Sequence, residues 1–392
     1  MSDDKKNLND PESEESVDVN GDAAEEKVRE KAADNSDKKS DKKPAQKKTW
    51  WKSMPKWGRG LVIAGISILA LALIFWITIT IYLSRVKRIE KRDPIDRSSE
   101  EFETSSEEQT AVNTIDPDEV DWNNLYESVK QDKQVKNILL IGQDRRPGET
   151  EYARSDSIIL CSINKNTNNI TLVSFMRDMY VPIEGFSDNR INAAYNYGGS
   201  ELLRKTVEND FGIKIDNCIE VDFEGFIKAM SAVGDLEIEL TQAEAEYLNK
   251  TGAIMNREAG LSDGEWNLHE GVNSLTPDQS LAYATTRHVG RSDWDRTDRQ
   301  RRVLTVAFEK ISKLGIMDQI DVINDILPYV ATDMTDMEIL GYAYYVATEG
   351  IHIGGSLRLP ADGLYRNETI NKMSVLVPDL KQNSELLKQT LY

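Results

Sequence analysis

Apolar residues follow two distinct patterns along this chain. The first is a single unbroken run, Leu61 to Leu83 (LVIAGISILALALIFWITITIYL), which carries no charge. It is long enough to cross a bilayer with some tilt. Trp50, Trp51 and Trp57 precede it and Tyr82 closes it, as interfacial aromatics would. The run is too long and starts too deep for a cleaved leader, and no small-residue cleavage site follows it. The second pattern begins near Val135, where short apolar runs alternate with helical stretches. KNILLIG (136–142), DSIILCSI (156–163), ITLVSF (170–175), CIEVDF (218–223), LEIEL (236–240) and HIGGSLRL (352–359) read as strands rich in β-branched residues. Ser200 is placed to cap SELLRKTVENDF, which Gly212 ends, and FEGFIKAMSAVG ends at Gly234. Thr276-Pro277-Asp278-Gln279 and Thr335-Asp336-Met337-Glu338 have the form of capping boxes that open two further helices.

Strands interleaved with helices predict a layered α/β (α+β) domain, a sheet covered by helices, with one transmembrane helix before it. The expected organisation is a disordered tail over 1–60, the span over 61–83, an acidic linker over 84–125 and a folded domain over 126–392. The tail and the linker are charged and Ser/Thr-rich, and bury too little apolar surface to offset their ordering entropy. Lysines and arginines lie on both sides of the span in nearly equal number, so the positive-inside rule alone does not orient it.

Charge and composition narrow the functional classes. The formal net charge is −19 over 392 residues, which argues against a nucleic-acid binder. The two cysteines, Cys161 and Cys218, sit in apolar strand-like stretches and read as buried thiols, and three scattered histidines form no zinc-binding spacing. No GxxxxGK[ST], GxSxG or HExxH motif occurs.

Three clusters remain that carry chemistry. Asp144, in GQDRR, follows one strand and Asp156, in RSDSIIL, begins the next, so both fall at one edge of a sheet. Two carboxylates there suit a hard divalent cation, and equally suit loop capping. In SFMRDMYVP, Arg177 and Asp178 follow a strand directly; the pair fits either phosphate binding or a structural ion pair. Asn192 and Asn196 follow shortly as polar contacts or turn residues. The densest cluster is RHVGRSDWDRTDRQRR, from Arg287 to Arg302. A helix beginning near Asp295 would carry Arg296, Arg299 and Gln300 on one face, a receptor for a polyanion such as pyrophosphate.

With these motifs in this order — LLIGQDRR, RSDSIIL, SFMRDMYVPI, INAAYNYGG and SLAYATTRHVGRSDWDRTDRQRRVL — the chain resembles the LytR-CpsA-Psr (LCP) family. The resemblance implies a mixed central β-sheet flanked by helices, with an apolar pocket for a polyprenyl chain. It implies a cell-membrane protein with a cytoplasmic N-terminus and an extracytoplasmic catalytic domain. The activity implied is a phosphotransferase that moves a polyprenyl-pyrophosphate-linked glycopolymer, a teichoic acid or capsular polysaccharide, onto a peptidoglycan acceptor. Asp144 and Asp156 match the family's Mg²⁺-associated aspartates. Arg177 matches the arginine that binds pyrophosphate, and Arg287, Arg296, Arg299 and Gln300 match the family's later arginine/glutamine set. Arg177, Asp178 and Arg287 are the candidate catalytic residues, Asn192 is a candidate substrate contact, and Asp178 or a metal-bound Asp is the candidate base. One departure stands out: the family's Arg-x-Arg pair reads Thr285-Thr286-Arg287 here, which predicts that one phosphate contact is absent or is supplied elsewhere, with Arg291 a candidate. A polyprenyl-pyrophosphate hydrolase and a non-catalytic glycan-lipid-binding scaffold remain as alternatives.

Overall fold

The structure is a computed structural model that describes residues 51, 54–89, 120, 122, 129–143, 155–258, 260, 263–349 and 352–392. Residues 1–68 and 69–392 form two compact units. Most of the expected tail, most of the linker and Asp144 lie outside the described residues. In chain order the elements are α1 (Lys56–Leu83), β1 (Lys87–Arg88), β2 (Val135–Gln143), β3 (Ser155–Asn164), β4 (Asn169–Phe175), β5 (Tyr180–Val181) and β6 (Asn189–Arg190). There follow α2 (Ile191–Phe211), β7 (Asn217–Val221), α3 (Phe223–Val233), β8 (Leu236–Leu240), α4 (Gln242–Glu258), β9 (Gly271–Leu275), α5 (Pro277–Thr285) and α6 (Asp293–Ser312). The chain ends with α7 (Ile316–Ile326), β10 (Ala331–Thr332), α8 (Asp336–Thr348), β11 (His352–Leu359), β12 (Tyr365–Ile370), β13 (Met373–Pro378) and α9 (Leu380–Leu391).

A seven-stranded sheet in the order β1-β10-β7-β2-β3-β4-β11 carries the larger unit. It is mixed: β7 and β11 run parallel to β2 and β4, while β3 runs antiparallel to both of its neighbours. Side chains alternate across a strand, so each face takes every second residue. Leu139, Ile141, Ile158, Leu160, Val173 and Phe175 pack with Tyr195, Leu203, Val207 and Phe211 of α2 and with Leu387 of α9. Ile138, Ile159, Ile163, Ile170 and Leu172 face the other way, toward Leu304 and Phe308 of α6, Ile323 of α7 and Ile339 of α8. Burial on both faces explains why the central strands read as near-continuous apolar runs. A second core, built from α3 to α6 and the β8–β9 ladder, lies beyond the α6 side.

The six expected strands are present, and both capping boxes close as expected, with Thr276 accepting from the N–H of Gln279 and Thr335 from that of Glu338. Helix α2 starts earlier than Ser200, but Gly198 and Gly199 break it, and Gly199 has φ +65°, which favours glycine. The helix bearing the arginine run starts at Asp293, two residues before the expected Asp295. Residues at the two ends of the expected linker lie against the folded domain. Val86 is buried, Lys87–Arg88 pair with β10, and Val120 packs against Tyr180 and Ile370. Cys161 and Cys218 are free thiols, Cys218 buried and Cys161 half-buried.

Gly225 sits where α3 meets the turn at Leu327–Tyr329, and a Cβ there would lie 2.4 Å from the Tyr329 carbonyl oxygen. Gly225→Ala must therefore push the turn away from α3; a loss of about 1–3 kcal/mol in a denaturation midpoint is the expected result.

Candidate functional site

Antiparallel pairing sets Gln143 at the end of β2 opposite Ser155 at the start of β3, and β4 ends beside them at Phe175. Asp156 and Arg177 are therefore carried to the same edge of the sheet. The α5–α6 connection adds Arg287, and the first turn of α6 adds Asp293 and Arg296. These five side chains form one network. Arg177 Nη1 donates to Asp156 Oδ1 at 2.7 Å and Arg287 Nη2 to Asp156 Oδ2 at 2.6 Å. Arg177 Nε and Arg296 Nη2 both donate to Asp293 Oδ2 at 3.1 Å. Asp178 stands behind them, 3.5 Å from the Nε atoms of both Arg177 and Arg190.

The charges respond to one another. Burial raises the Asp156 pKa, but Arg177, Arg287 and Arg296 outweigh it and hold the carboxyl below its ordinary range. Burial works against the Arg177 cation, yet Asp156, Asp178 and Asp293 together raise its pKa. Burial also raises Asp178, which Arg177 and Arg190 only partly offset, and the proximity of Asp293 raises it further. Asp293 shifts the other way: burial raises it, but Arg296, Arg177 and Arg287 prevail and lower it. Arg296 is the strained member. It is 2% exposed, and burial followed by repulsion from Arg177 and Arg287 pushes its pKa down to about 10. Its Nε and Nη1 atoms have no hydrogen-bond partner. Two buried donors without acceptors are costly, and an anion arriving at this point would relieve the cost.

Arg296 also lines the polar end of a cavity of about 420 Å³. Asp156, Arg287, Arg296, Gln300, Gln143 and Thr285 line it together with a long apolar wall. The wall comprises Leu140, Ile159 and Ile219 of the sheet, Phe226 and Met230 of α3, Met255 of α4, Leu281 of α5 and Val303 and Leu304 of α6. Such a cavity is shaped for an amphiphile with an anionic head and an apolar chain.

The structure separates the sequence-derived residues. Arg177, Asp178, Arg287, Arg296 and Asp156 converge, and Gln300 joins them at the cavity wall. Arg299 does not line the cavity, a correction to the single-face reading of α6. Residues 296, 300 and 303 define the cavity stripe, and residue 299 falls to one side of it. Arg299 is buried and donates to Glu244 Oε1 at 3.2 Å and to the Thr286 carbonyl at 2.6 Å, so it fixes the turn that carries Arg287. Asn192 is likewise buried in the first turn of α2, where its backbone N–H donates to the Arg177 carbonyl at 3.4 Å. Arg291 does not fill the place of the missing arginine either: 65% exposed in its side chain, it pairs with Asp295 on the surface. The Thr285 hydroxyl bonds back to the Leu281 carbonyl at 2.9 Å, so Arg177, Arg287 and Arg296 supply the cations at this pole.

Asp293, Arg190 and Glu244 were not identified from the sequence. Asp293 had a signal, an acid three residues before Arg296; nothing in the sequence linked Arg190 to Asp178 or Glu244 to Arg299. Among the described residues, no group of three or more His, Cys, Asp or Glu side chains gathers for a metal. Of the two aspartates expected to hold a cation, Asp156 lies ionised at the cavity's polar end with both carboxylate oxygens accepting from arginines, and Asp144 lies outside the described residues.

Truncating Arg299 would leave Glu244 buried and unpaired. Arg299→Ala should cost about 3 kcal/mol or more, and Arg291→Ala about 0.5 kcal/mol or less, in denaturation of the full chain in detergent.

Comparison with known proteins agrees with this geometry. The LytR_cpsA_psr family model matches residues 95–391. The chain is 35% identical over 234 residues to the polyisoprenyl-teichoic acid–peptidoglycan teichoic acid transferase TagU of Oceanobacillus iheyensis, covering 57% of this chain and 66%, just under two thirds, of that protein. It is 29% identical to the regulatory protein MsrR of Staphylococcus aureus, covering 67% of this chain and 76% of that one. Among solved structures, "TagT bound to LIIa-WTA" superposes with a TM-score of 0.53 at 21% identity, over 67% of this chain and 92% of that one, a likeness of fold. The chain belongs to the LytR_cpsA_psr family.

Proposed function

We propose that this LytR_cpsA_psr family member is a phosphotransferase that moves a glycopolymer from a polyprenyl-pyrophosphate carrier onto peptidoglycan. The observation that carries the reading is Arg296, a buried guanidinium with two unpartnered nitrogens where an apolar cavity meets Arg287 and the Asp156–Arg177 pair. A polyprenyl pyrophosphate has the matching form, two phosphates joined to an apolar chain. The relatives named TagU favour a teichoic acid as the polymer, with a capsular polysaccharide as the second candidate.

In this mechanism Arg177, Arg287 and Arg296 hold the two phosphates, exchanging bonds to Asp156 and Asp293 for bonds to phosphate oxygens. The acceptor hydroxyl oxygen attacks the glycan-bearing phosphorus in line. The bond from that phosphorus to the bridging oxygen breaks, and polyprenyl phosphate leaves with the electron pair. The hydroxyl proton is taken by a carboxylate, for which Asp178, 3.5 Å from Arg177 Nε and with a raised proton affinity, is the candidate. Phosphoryl transfer asks mainly for positioning and charge stabilisation, which a fixed cationic pole supplies. Mg²⁺, held by Asp156 with Asp144, would neutralise phosphate charge. The α1 helix is long and apolar enough to cross a bilayer, and we take it as a single span with a cytoplasmic N-terminus and an extracytoplasmic catalytic domain.

The test uses the full chain in vesicles with a lipid-pyrophosphate-linked glycan, Mg²⁺ and uncross-linked peptidoglycan strands, following attachment by mass. Arg177→Ala and Arg296→Ala should each lower attachment by about 100-fold or more. Lipid phosphate released without attachment would mark a hydrolase, and donor binding without either product a scaffold.

The proton step has its own signature. A base with a raised pKa loses activity as pH falls through that value, above the ordinary carboxylate range. Asp178→Asn should remove this acid limb and reduce the rate by about 100-fold or more, as read from kcat against pH.

A further inference from the structure

Helix α8 buries one side and leaves the other bare. Ile339, Leu340 and Val346 pack into the core, whereas Met337 is 76% and Tyr344 71% exposed. Gly341 lies between them, and a Cβ there would meet nothing. Residues 337, 341, 344 and 348 follow the spacing of one helical face. Met337 and Tyr344 thus leave two large side chains, two turns apart, exposed on a helix whose other side is already in the core.

The neighbouring chain indicates what covers them. Ile79, Leu83 and Val86, at and just beyond the end of α1, pack into the same cluster as Leu340 and Val346. Lys87 and Arg88 then pair in parallel with Ala331 and Thr332, and Ile89 N–H donates to the Thr332 carbonyl at 3.2 Å. Asp336, at the start of α8, lies four residues along the chain from Thr332, a reach of at most about 14 Å. The start of α8 is thus held close to the end of the apolar span. The two acids of its first turn are engaged locally: Asp336 pairs with Arg88, and Glu338 accepts from the Thr335 N–H at 2.8 Å and from its hydroxyl at 2.7 Å. Arg85, lying over the Tyr82 ring at 5.5 Å, and the exposed Lys87 add cations at the level where headgroups lie.

We infer that the Met337–Tyr344 face of α8 rests in the bilayer interface beside the span, so that the domain lies on the membrane rather than standing away from it. Leu140, Ile159, Ile219 and Leu304 belong both to the cavity wall and to the cluster that holds Leu83. The apolar cavity is therefore continuous with the membrane-side core, and the donor's prenyl chain enters it from the bilayer. The inference rests on the reading of α1 as a span and of the donor as a lipid-linked glycan.

Spin labels on the full chain in phosphatidylcholine/phosphatidylglycerol vesicles test it. Single cysteines are placed by Tyr344→Cys, Met317→Cys on the exposed apolar turn of α7, Leu71→Cys in the span and Lys205→Cys on the exposed side of α2. Native labelling stays low because Cys218 is buried and burial pushes the Cys161 thiol up to about 12. The expected result is that labels at 344 and 71 meet oxygen more than a water-soluble nickel chelate, with 205 the reverse. A 344 label as chelate-accessible as that at 205, or a 317 label deeper than 344, overturns the docking. A 71 label in water overturns the span, and the docking with it. In the transfer assay, Met337→Asp with Tyr344→Asp should slow transfer from vesicle-borne donor at least about tenfold while leaving micelle-borne donor unaffected. Loss of transfer from micelles as well, or from neither, overturns the loading route. Failure of all transfer by the unaltered chain would instead count against the proposed activity, since the label depths do not depend on turnover.

Discussion

A buried cation must be compensated where it sits, and Arg296 imposes that constraint on this structure. Water is nearly excluded from its guanidinium, so the charge survives only because Asp293 and Asp156 stand on one side of it. Those carboxylates are in turn held ionised by Arg177 and Arg287. The compensation is incomplete, since two nitrogens of Arg296 remain without acceptors. A network that is nearly but not fully satisfied favours one further anion, and Arg296 is also a lining residue of the cavity. The same incompleteness that costs stability in the free protein is therefore what makes the pole receptive.

The cavity joins two environments that rarely meet. Its cationic end comes from loops at one edge of the sheet and the first turn of α6, while its apolar length comes from strand faces and from α3, α4, α5 and α6. Strand alternation makes this possible, because Leu140 turns to the cavity side while its neighbour Leu139 supports the opposite core. Arg299 and Asn192 contribute without reaching the cavity: one holds the Thr286 carbonyl beside Arg287, the other the carbonyl of Arg177 itself. The cations are thus held from behind by buried polar groups, which keeps them aimed before any ligand arrives.

The edge of the sheet farthest from β11 links this site to the apolar span. Strand β1 is two residues long, yet it closes the sheet at β10 and draws Leu83 and Val86 into the core. A chain so attached has little freedom to lift away from the point where it leaves α1. The apolar clusters then run from that point to the cavity wall with shared residues, so the hydrophobic core that stabilises the fold also leads toward the site.

The sequence by itself determined the elements and the chemical inventory. The apolar run of 61–83, the β-branched strands and the capping boxes follow from local rules of spacing and turn chemistry, and all appear as elements of the structure. Asp156, Arg177, Arg287 and Arg296 were legible because charges placed directly after strands or before a helix stand out against apolar surroundings. Helices α4, α7 and α9 and the β12–β13 hairpin were not identified, since α4 and α9 are strongly polar and the others are short. What only the tertiary structure decided was the assignment of the arginines. Residues 296 and 299 are both buried on one helix, about 60° apart around its axis, and that offset sends one to the cavity and the other to Glu244. Periodicity gives relative angles along a helix, but the absolute direction is set by what packs against it, and those neighbours come from distant parts of the chain.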